Sequence, residues 1–422
     1  YDNRYLFDAT YRLDGSSQFG FDRRFAPFWS IGAGWNAKNE AFLKDSKTLT
    51  EMRFRYTVGT TGSENFSSFR GLTTSKYYTD REYRGIIASY ILAYGNSALA
   101  WQKTLKQNFG VDLNFFNRLS ITANYFNART KGSIAFISSP LSAGFDGYWD
   151  NMGDVVNKGY EVYTRFNVIK NASNRNNFSV FANLFHVENK IEKISETIRA
   201  LNERANSTLS STPLPRYAEG QSVNAIWGVQ SLGIDPASGR EVYLSRDGSI
   251  TSEYDPSDQV IVGDKTPTLQ GTFGASLEVK NIGFNVFFRF SFGGDSYNQT
   301  LVDRVENVDV MRYNVDRRVS EERWQNPGDV AFFRGILDYR YNQTPGITYS
   351  TSRFVQKDNF ITGENASVYY RFTDKLNSKL GLQNTKITVF TQDVFRIASI
   401  KRERGLDYPF SRSFTLQLQT SF

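Results

Sequence analysis

Alternation of apolar and polar residues is the feature that most constrains the fold of this 422-residue chain. Near the C-terminus, Phe414, Leu416 and Leu418 occupy alternate positions, with threonine or glutamine between them. A period of two places successive side chains on opposite faces of a β-strand. The same pattern recurs along the chain and predicts twelve strands, at 5–11, 29–35, 52–58, 109–115, 119–125, 160–168, 178–184, 273–279, 284–292, 366–372, 387–391 and 414–422.

The links between these predicted strands alternate in length. Short or compact links are expected at 37–50, 117–118, 171–177, 281–282 and 374–385. Long links are expected at 61–107, 129–158, 188–270, 293–364 and 394–411, with a shorter one of the same parity at 13–27. Outer-membrane barrels have short periplasmic turns and long extracellular loops, whereas a soluble sandwich gives no reason for such parity. The sequence therefore predicts an all-β protein, an antiparallel transmembrane β-barrel with long extracellular loops. A soluble sandwich or propeller is the alternative.

Composition agrees with a membrane barrel and excludes several functions. Aromatic residues make up 15% of a chain whose mean hydropathy is −0.47, a combination typical of aromatic girdles around a polar lumen. No apolar stretch approaches the length of a transmembrane helix. The net charge of +7 is spread along the chain and does not indicate nucleic-acid binding. The chain has no cysteine and one histidine, His186, which excludes thiolate sites and multi-histidine metal sites.

Aromatic residues in the predicted long loops are the best candidates for binding a ligand. Asp146, Tyr148 and Trp149 combine stacking surfaces with a carboxylate, which suits sugar rings or peptide backbones, and Trp227 is a second candidate. The alternative is that these rings pack loop against loop. We interpret His186 as an interfacial aromatic residue rather than a catalytic base.

Carboxylates in the predicted loops do not indicate a metal site or an active site. The segments 235–239 and 246–248 contain clustered oxygen ligands, but D-P-x-x-G and D-G are ordinary turn formers. No pair of carboxylates stands in a context that indicates a glycosidase. We therefore expect no enzyme activity, no metal and no cofactor.

The segment 407–422, which reads DYPFSRSFTLQLQTSF, resembles the C-terminal end of SusC-like (SusC/RagA) TonB-dependent transporters. Further segments resemble landmarks of that family in the same order. They are RLDGSSQFG at 12–20, FAPFWSIGAGW at 25–35, NSALAWQ at 96–102, NKGYE at 157–161, and EGQ at 219–221 followed by GIDPASG at 233–239. Ser97 and Gln102 depart from the proline and glutamate that the family commonly has. The resemblance covers nearly the whole chain.

This resemblance implies the C-terminal part of a 22-stranded plugged barrel, with residues 1–422 as barrel and the plug and N-terminal domains absent from this chain. It implies import of oligosaccharides or peptides across the outer membrane of a Gram-negative cell. The implied partners are a SusD-like surface lipoprotein, the TonB complex acting through the plug region, and outer-membrane lipid. The alternatives are a non-transporting structural or adhesive surface barrel and, less favoured, a soluble carbohydrate-processing β protein.

Two further expectations concern the strands themselves. Phe414, Leu416, Leu418 and the terminal Phe422 are predicted to form the barrel-assembly signal, because alternate apolar residues ending in an aromatic suit β-augmentation. In the strand at 284–292, period two predicts one lipid face and one lumen face. The lipid face is Phe284, Val286, Phe288 and Phe290, and the lumen face is Asn285, Arg289 and Ser291.

Overall fold

A computed structural model of the chain describes residues 1–16, 24–63, 72–96, 99–139, 141–145, 147–171, 175–310, 312–336, 347–401 and 411–421. Asp146 and Phe422 lie outside the described residues. No helix within these ranges is long and apolar enough to cross a membrane.

A large antiparallel sheet of twelve strands organises the described chain. Its strands are β1 (Tyr5–Gly15), β2 (Phe25–Asn36), β3 (Leu49–Ser63), β6 (Gln102–Phe115), β7 (Leu119–Ser138), β8 (Gly147–Asn171), β9 (Asn176–Ile194), β15 (Leu269–Val279), β16 (Ile282–Phe292), β19 (Phe360–Arg371), β20 (Gln383–Ala398) and β21 (Phe414–Ser421). They are ordered in the sheet as they are in the sequence. All twelve predicted strands are confirmed.

The remaining elements lie in the links between the sheet strands. The short strands are β4 (Thr74–Tyr83), β5 (Ile86–Ala93), β10 (Ala225–Gly228), β11 (Gln230–Ile234), β12 (Glu241–Leu244), β13 (Ile250–Thr251), β14 (Val260–Asp264), β17 (Asp295–Tyr297) and β18 (Val355–Lys357). The α-helices are α1 (Glu196–Ala205), α2 (Gln299–Leu301), α3 (Arg318–Glu321) and α4 (Asp374–Leu380), and a π-helix covers Val302–Glu306. The 3₁₀ turns are Ala37–Asn39, Leu141–Ala143, Pro256–Asp258 and Ser352–Phe354.

One predicted link is wrong. The segment 129–158 is not a loop, because β7 and β8 continue as a paired hairpin to Ser138 and Gly147. Backbone hydrogen bonding carries the pair past the alternating region, through register shifts between Thr130 and Ile134. Such shifts allow pairing to continue where the side chains no longer alternate between apolar and polar.

The chain consists of two compact units. The first contains residues 1–167, 181–201 and 217–223, and the second contains residues 168–180, 202–216 and 224–422. In the first unit, buried clusters form around Phe28 and Trp101 and around Ile137 and Ile198. In the second, six apolar residues from the link between β16 and β19 form a core, namely Leu301, Val302, Val305, Val319, Phe333 and Phe354.

The sheet has one apolar face and one polar face, as period two requires. In the second unit, Phe288 pairs with Phe273 and their rings stack at 4.9 Å. On the opposite face, the Asn285 side chain is 2.7 Å from Ser276 and 3.2 Å from Ser367. The predicted separation of the two faces of β16 is therefore confirmed, while their contact with lipid and lumen stays a prediction.

The same division holds in the first unit. Tyr56 and Phe109 are cross-strand partners on the apolar face. On the polar face, Arg55 donates two hydrogen bonds to Asp112, at 2.7 and 3.0 Å. His186 stacks on Tyr160 with ring centroids 4.9 Å apart, so it packs as an aromatic residue.

Candidate functional site

The candidate residues of the first unit lie at the N-terminal end of β8. Trp149 is half-buried, with its ring centroid 5.5 Å from that of Phe136, and it packs against the cluster around Phe28. Tyr148 packs against the cluster around Ile137, and its ring meets Tyr94 edge-on at 6.3 Å. Since adjacent residues of a strand face opposite sides, the two rings do not share one surface.

A carboxylate next to these rings accepts hydrogen bonds from other residues of the chain. Asp150 accepts hydrogen bonds from the Asn96 side chain at 3.0 Å, from the Asn151 amide at 2.8 Å and from the Thr197 hydroxyl at 2.8 Å. It therefore fastens the link after β5 and the start of α1 to β8. The carboxylate beside Tyr148 and Trp149 therefore holds the link in place, and its hydrogen bonds go to the protein.

A buried ionic network holds the links of the second unit together. Arg353 donates to Glu241 at 3.0 and 2.7 Å and to Glu306 at 2.6 Å. The three side chains are only 4%, 3% and 0% exposed. Burial alone would lower the pKa of the Arg353 guanidinium, but the hydrogen bonds and charges of the two glutamates outweigh burial and raise it. Arg353 is therefore a fixed cation at the centre of the network.

A second arginine stabilises the π-helix beside this network. Arg323 donates to the backbone carbonyls of Val305, Glu306, Val319 and Arg334, the last at 2.8 Å. Val305 and Glu306 end the π-helix, where backbone carbonyls have no partner within the helix, and the fixed fork of a guanidinium can satisfy several carbonyls at once. Burial lowers the pKa of Arg323, and the charge of Glu306 opposes that effect. These arginines form a scaffold inside the links.

Trp227 lies on β10, which pairs with β14 and places Trp227 opposite Ile261. Its ring is half-buried beneath a guanidinium, with the Cζ atom of Arg216 at 5.4 Å from the ring centroid. Arg216 donates one hydrogen bond, at 2.7 Å, to the Asn206 side chain. The Nε atom of Arg216 and the Nε1 atom of Trp227 are buried and have no hydrogen-bond partner within the described residues.

Both carboxylate-bearing segments that could suggest a cation site are turns. Asp235 accepts from the amides of Ala237 and Ser238, at 3.1 and 3.2 Å, where the chain turns between β11 and β12. Asp247 accepts from the Ser249 amide at 2.9 Å in the turn between β12 and β13. The interpretation of both as turns is confirmed.

The network around Arg353 is absent from the sequence prediction. Arg353 and Glu241 are 112 residues apart, and neither lies in a motif of fixed spacing. The prediction did identify Trp227, as an aromatic residue in a long polar link, but not Arg216. No local pattern in the sequence marks either arginine.

The chain is similar to known TonB-dependent receptors. No protein-family model matches the chain. Over 463 aligned residues, the whole chain is 26% identical to TonB-dependent receptor P3 of Formosa agariphila and covers 44% of it. It is 24% identical to TonB-dependent receptor SusC of Bacteroides thetaiotaomicron, again over the whole chain and 42% of that protein. The resemblance to SusC-like TonB-dependent transporters is confirmed.

Solved structures show the same fold. The chain superposes over its full length on 46% of a chain of the RagAB peptide importer in the "closed-closed" state, with a TM-score of 0.75 and 20% identity. The chain spans less than half the length of these curated relatives. Its all-β fold, that of part of a β-barrel, and its outer-membrane location are confirmed. The expectation that it is not an enzyme is confirmed as well, since these relatives are receptors and importers.

Proposed function

We propose that this chain is part of an outer-membrane TonB-dependent importer that takes up oligosaccharides or peptides. The observation that carries the proposal is the full-length match of the chain, in sequence and in fold, to TonB-dependent receptors and to a peptide importer. The long links add support, because their strands, helices and buried cores give a built surface at one end of the sheet. Long links are usually either functional or disordered, and these contain ordered elements.

The proposed partners are a SusD-like lipoprotein over the extracellular side, the TonB complex acting through a plug region, and outer-membrane lipid. Exposed apolar residues on the β4–β5 hairpin support a covering partner, with Tyr77 69% and Ile87 57% exposed. Apolar patches of this kind mark interaction sites. Purification of the full-length protein in mild detergent should bring down a second, lipidated subunit.

Tyr148, Trp149 and Trp227, together with Asp146, are the proposed nutrient-binding residues. Half-buried rings keep one surface available for stacking on a sugar or a peptide. Packing of link against link is the competing role, and for Trp149 its contact with Phe136 favours that role. Replacing the ring with alanine distinguishes the two roles. Loss of a packing ring lowers the stability of the links, whereas loss of a binding ring lowers the affinity for the nutrient.

Uptake by cells that carry the full-length protein tests the import proposal. Labelled oligosaccharide and labelled peptide pools are supplied to wild-type cells and to cells without TonB. Accumulation that needs both the protein and TonB supports import. Surface binding that is unchanged without TonB, with no accumulation, would instead favour a structural or adhesive surface barrel.

A matched pair of tryptophan variants tests the binding residues. Trp227→Ala should lower uptake while the protein reaches the outer membrane at normal levels. Trp29→Ala is the control, because Trp29 lies within a strand of the main sheet, on the apolar face of β2, and is 37% exposed. Equal loss of uptake in both variants would argue against a binding role for Trp227.

A further inference from the structure

Arg216 is a cation buried in the links of the second unit. It is 6% exposed, and no carboxylate of the described residues forms an ion pair with it. Its hydrogen bond goes to the neutral side chain of Asn206. Arg353 is buried to a similar degree but contacts two glutamates. Burying a charge is costly unless it is paired, so the two arginines call for different explanations.

Two buried donors stand side by side at this position. The Nε–H of Arg216 and the Nε1–H of Trp227 find no acceptor within the described part of the chain. The guanidinium carbon lies 5.4 Å from the centre of the Trp227 ring, so the two donors belong to one small region. Buried donors are nearly always paired. Two neighbouring donors, one of them charged, indicate an acceptor that the described residues do not supply.

The surrounding charges favour an anion as that acceptor. Burial lowers the pKa of Arg216, and the positive charge of Arg246 lowers it further. The Arg246 guanidinium donates to the backbone carbonyl of Gln259 at 2.7 Å, while its backbone amide donates to Asp258 at 3.1 Å. Asp258 therefore bonds the main chain of Arg246. Two cations with this arrangement create a positive potential that an anion would relieve.

We propose that Arg216 and Trp227 form a binding site for an anionic group, a carboxylate or a sulfate, carried by the imported nutrient. Guanidinium groups bind both anions through paired N–H donors, and the indole N–H of Trp227 is a further donor in the same region, unpartnered within the described residues. The face of the indole ring that Arg216 does not cover is the one on which the body of a sugar or peptide can stack. A neutral nutrient would leave the charge of Arg216 unpaired, so the site selects for acidic ligands. That the anionic ligand is an imported nutrient rests on the proposed import function, whereas the existence of the anion site does not.

Calorimetric titration of the purified full-length transporter tests the site directly. The probes are D-glucuronate for a carboxylate, galactose 6-sulfate for a sulfate and galactose as the neutral reference, all at constant ionic strength. We expect at least one anionic sugar to bind about tenfold or more tightly than galactose, as for a charge-assisted hydrogen-bond pair. The probe that binds identifies the anion. Equal binding of all three, or no binding of either anionic sugar, would overturn the proposal.

Three variants connect the preference to these residues. Arg216→Met should abolish the anionic preference, and Trp227→Phe, which keeps a ring but removes the Nε1–H, should weaken anion binding by about three- to tenfold. Arg240→Met is the control, because Arg240 is an exposed arginine of the same unit and should leave binding unchanged. If Arg216→Met fails to fold, Trp227→Phe still decides the question. Unchanged anion binding in Trp227→Phe would overturn the proposed two-donor site.

The binding assay needs neither TonB nor transport, and this separates the two proposals. A protein that prefers anionic sugars but imports nothing would contradict the import proposal and leave the anion site standing. A protein that imports nutrients with no preference for charge would contradict the anion site alone.

Discussion

Replacing Arg353 with methionine should release the ordered structure of the links in the second unit while leaving the main sheet intact. Methionine keeps the volume of the side chain but removes the cation that joins Glu241 to Glu306. Both carboxylates would then be buried and without the counter-charge at their centre. Each keeps one hydroxyl donor, from Thr351 at 3.0 Å and from Thr348 at 2.9 Å.

The magnitude follows from the burial of the three charges. Removing one partner of a buried ion pair costs about 3–5 kcal/mol, because the remaining charge is left uncompensated. Arg334 lies 3.6 Å from Glu306 and recovers only part of this cost. An exposed pair gives the comparison. Arg317 and Glu321 are 2.9 Å apart but 84% and 54% exposed, so Arg317→Met should cost less than about 0.5 kcal/mol.

Amide hydrogen exchange on the full-length protein measures this difference locally. The amide of Asn307 donates to the Val302 carbonyl at 2.8 Å and reports on opening of the π-helix. A loss of 3 kcal/mol or more corresponds to exchange about 100-fold faster there. Amides of β15 and β16 should exchange as in the wild type, because they belong to the main sheet.

A triple variant tests the reasoning about charge. Adding Glu241→Gln and Glu306→Gln to Arg353→Met removes the unpaired carboxylates, and most of the lost protection should return. If Arg353→Met exchanges at the wild-type rate, the network does not stabilise the links. If the triple variant is no better than the single one, the cost arises from packing and not from buried charge.

Three further predictions concern pH, lipid and assembly. Burial, followed by the charge of Glu241, raises the pKa of Tyr243 well above its ordinary value of about 10. Above about pH 10, Tyr243 therefore ionises in the unfolded links before it ionises in the folded ones. The folded links should lose up to about 1.4 kcal/mol of stability per pH unit there. Hydrogen exchange should show a smaller loss in Tyr243→Phe. Val286→Arg should cost about 2–4 kcal/mol in bilayer unfolding experiments if it lies near the midplane, and Asn285→Arg on the opposite face should cost less. Deleting Phe422 should sharply lower the amount of protein in the outer-membrane fraction, and an unchanged immunoblot would contradict its role in assembly.

The sheet could be predicted from sequence because its rule is local. Phe288 and Arg289 are neighbours in the chain, and period two alone assigns them to opposite faces. The ends of β7 and β8 could not be predicted in the same way. Around Gly153 the residues of β8 no longer alternate, yet the backbone continues to pair across the register shift. Backbone pairing is independent of side-chain polarity, so it leaves no signal of that kind.

The links resist prediction for a different reason. Trp227 is visible in the sequence because a tryptophan in a polar link is rare, and its burial in the structure agrees with a built surface. Arg216 is of interest because the described residues around it include no ion-pair partner, and the sequence does not show which residues surround it in the fold. Glu241, Glu306 and Arg353 likewise meet only after three separate parts of the chain have come together.

The hairpin of β7 and β8 has a mechanical consequence. Its register shift includes Gly153, whose φ of +140° is a conformation that L side chains rarely adopt. A β-bulge is a point at which a paired ribbon bends. Beyond it, the strand from Gly153 to Gly147 reaches about 20 Å outward at roughly 3.3 Å per residue. A bend of about 10° at the bulge would move the tip, and with it Tyr148 and Trp149, by about 3 Å. A small rotation at this glycine would therefore become a displacement of the hairpin tip about as long as a hydrogen bond.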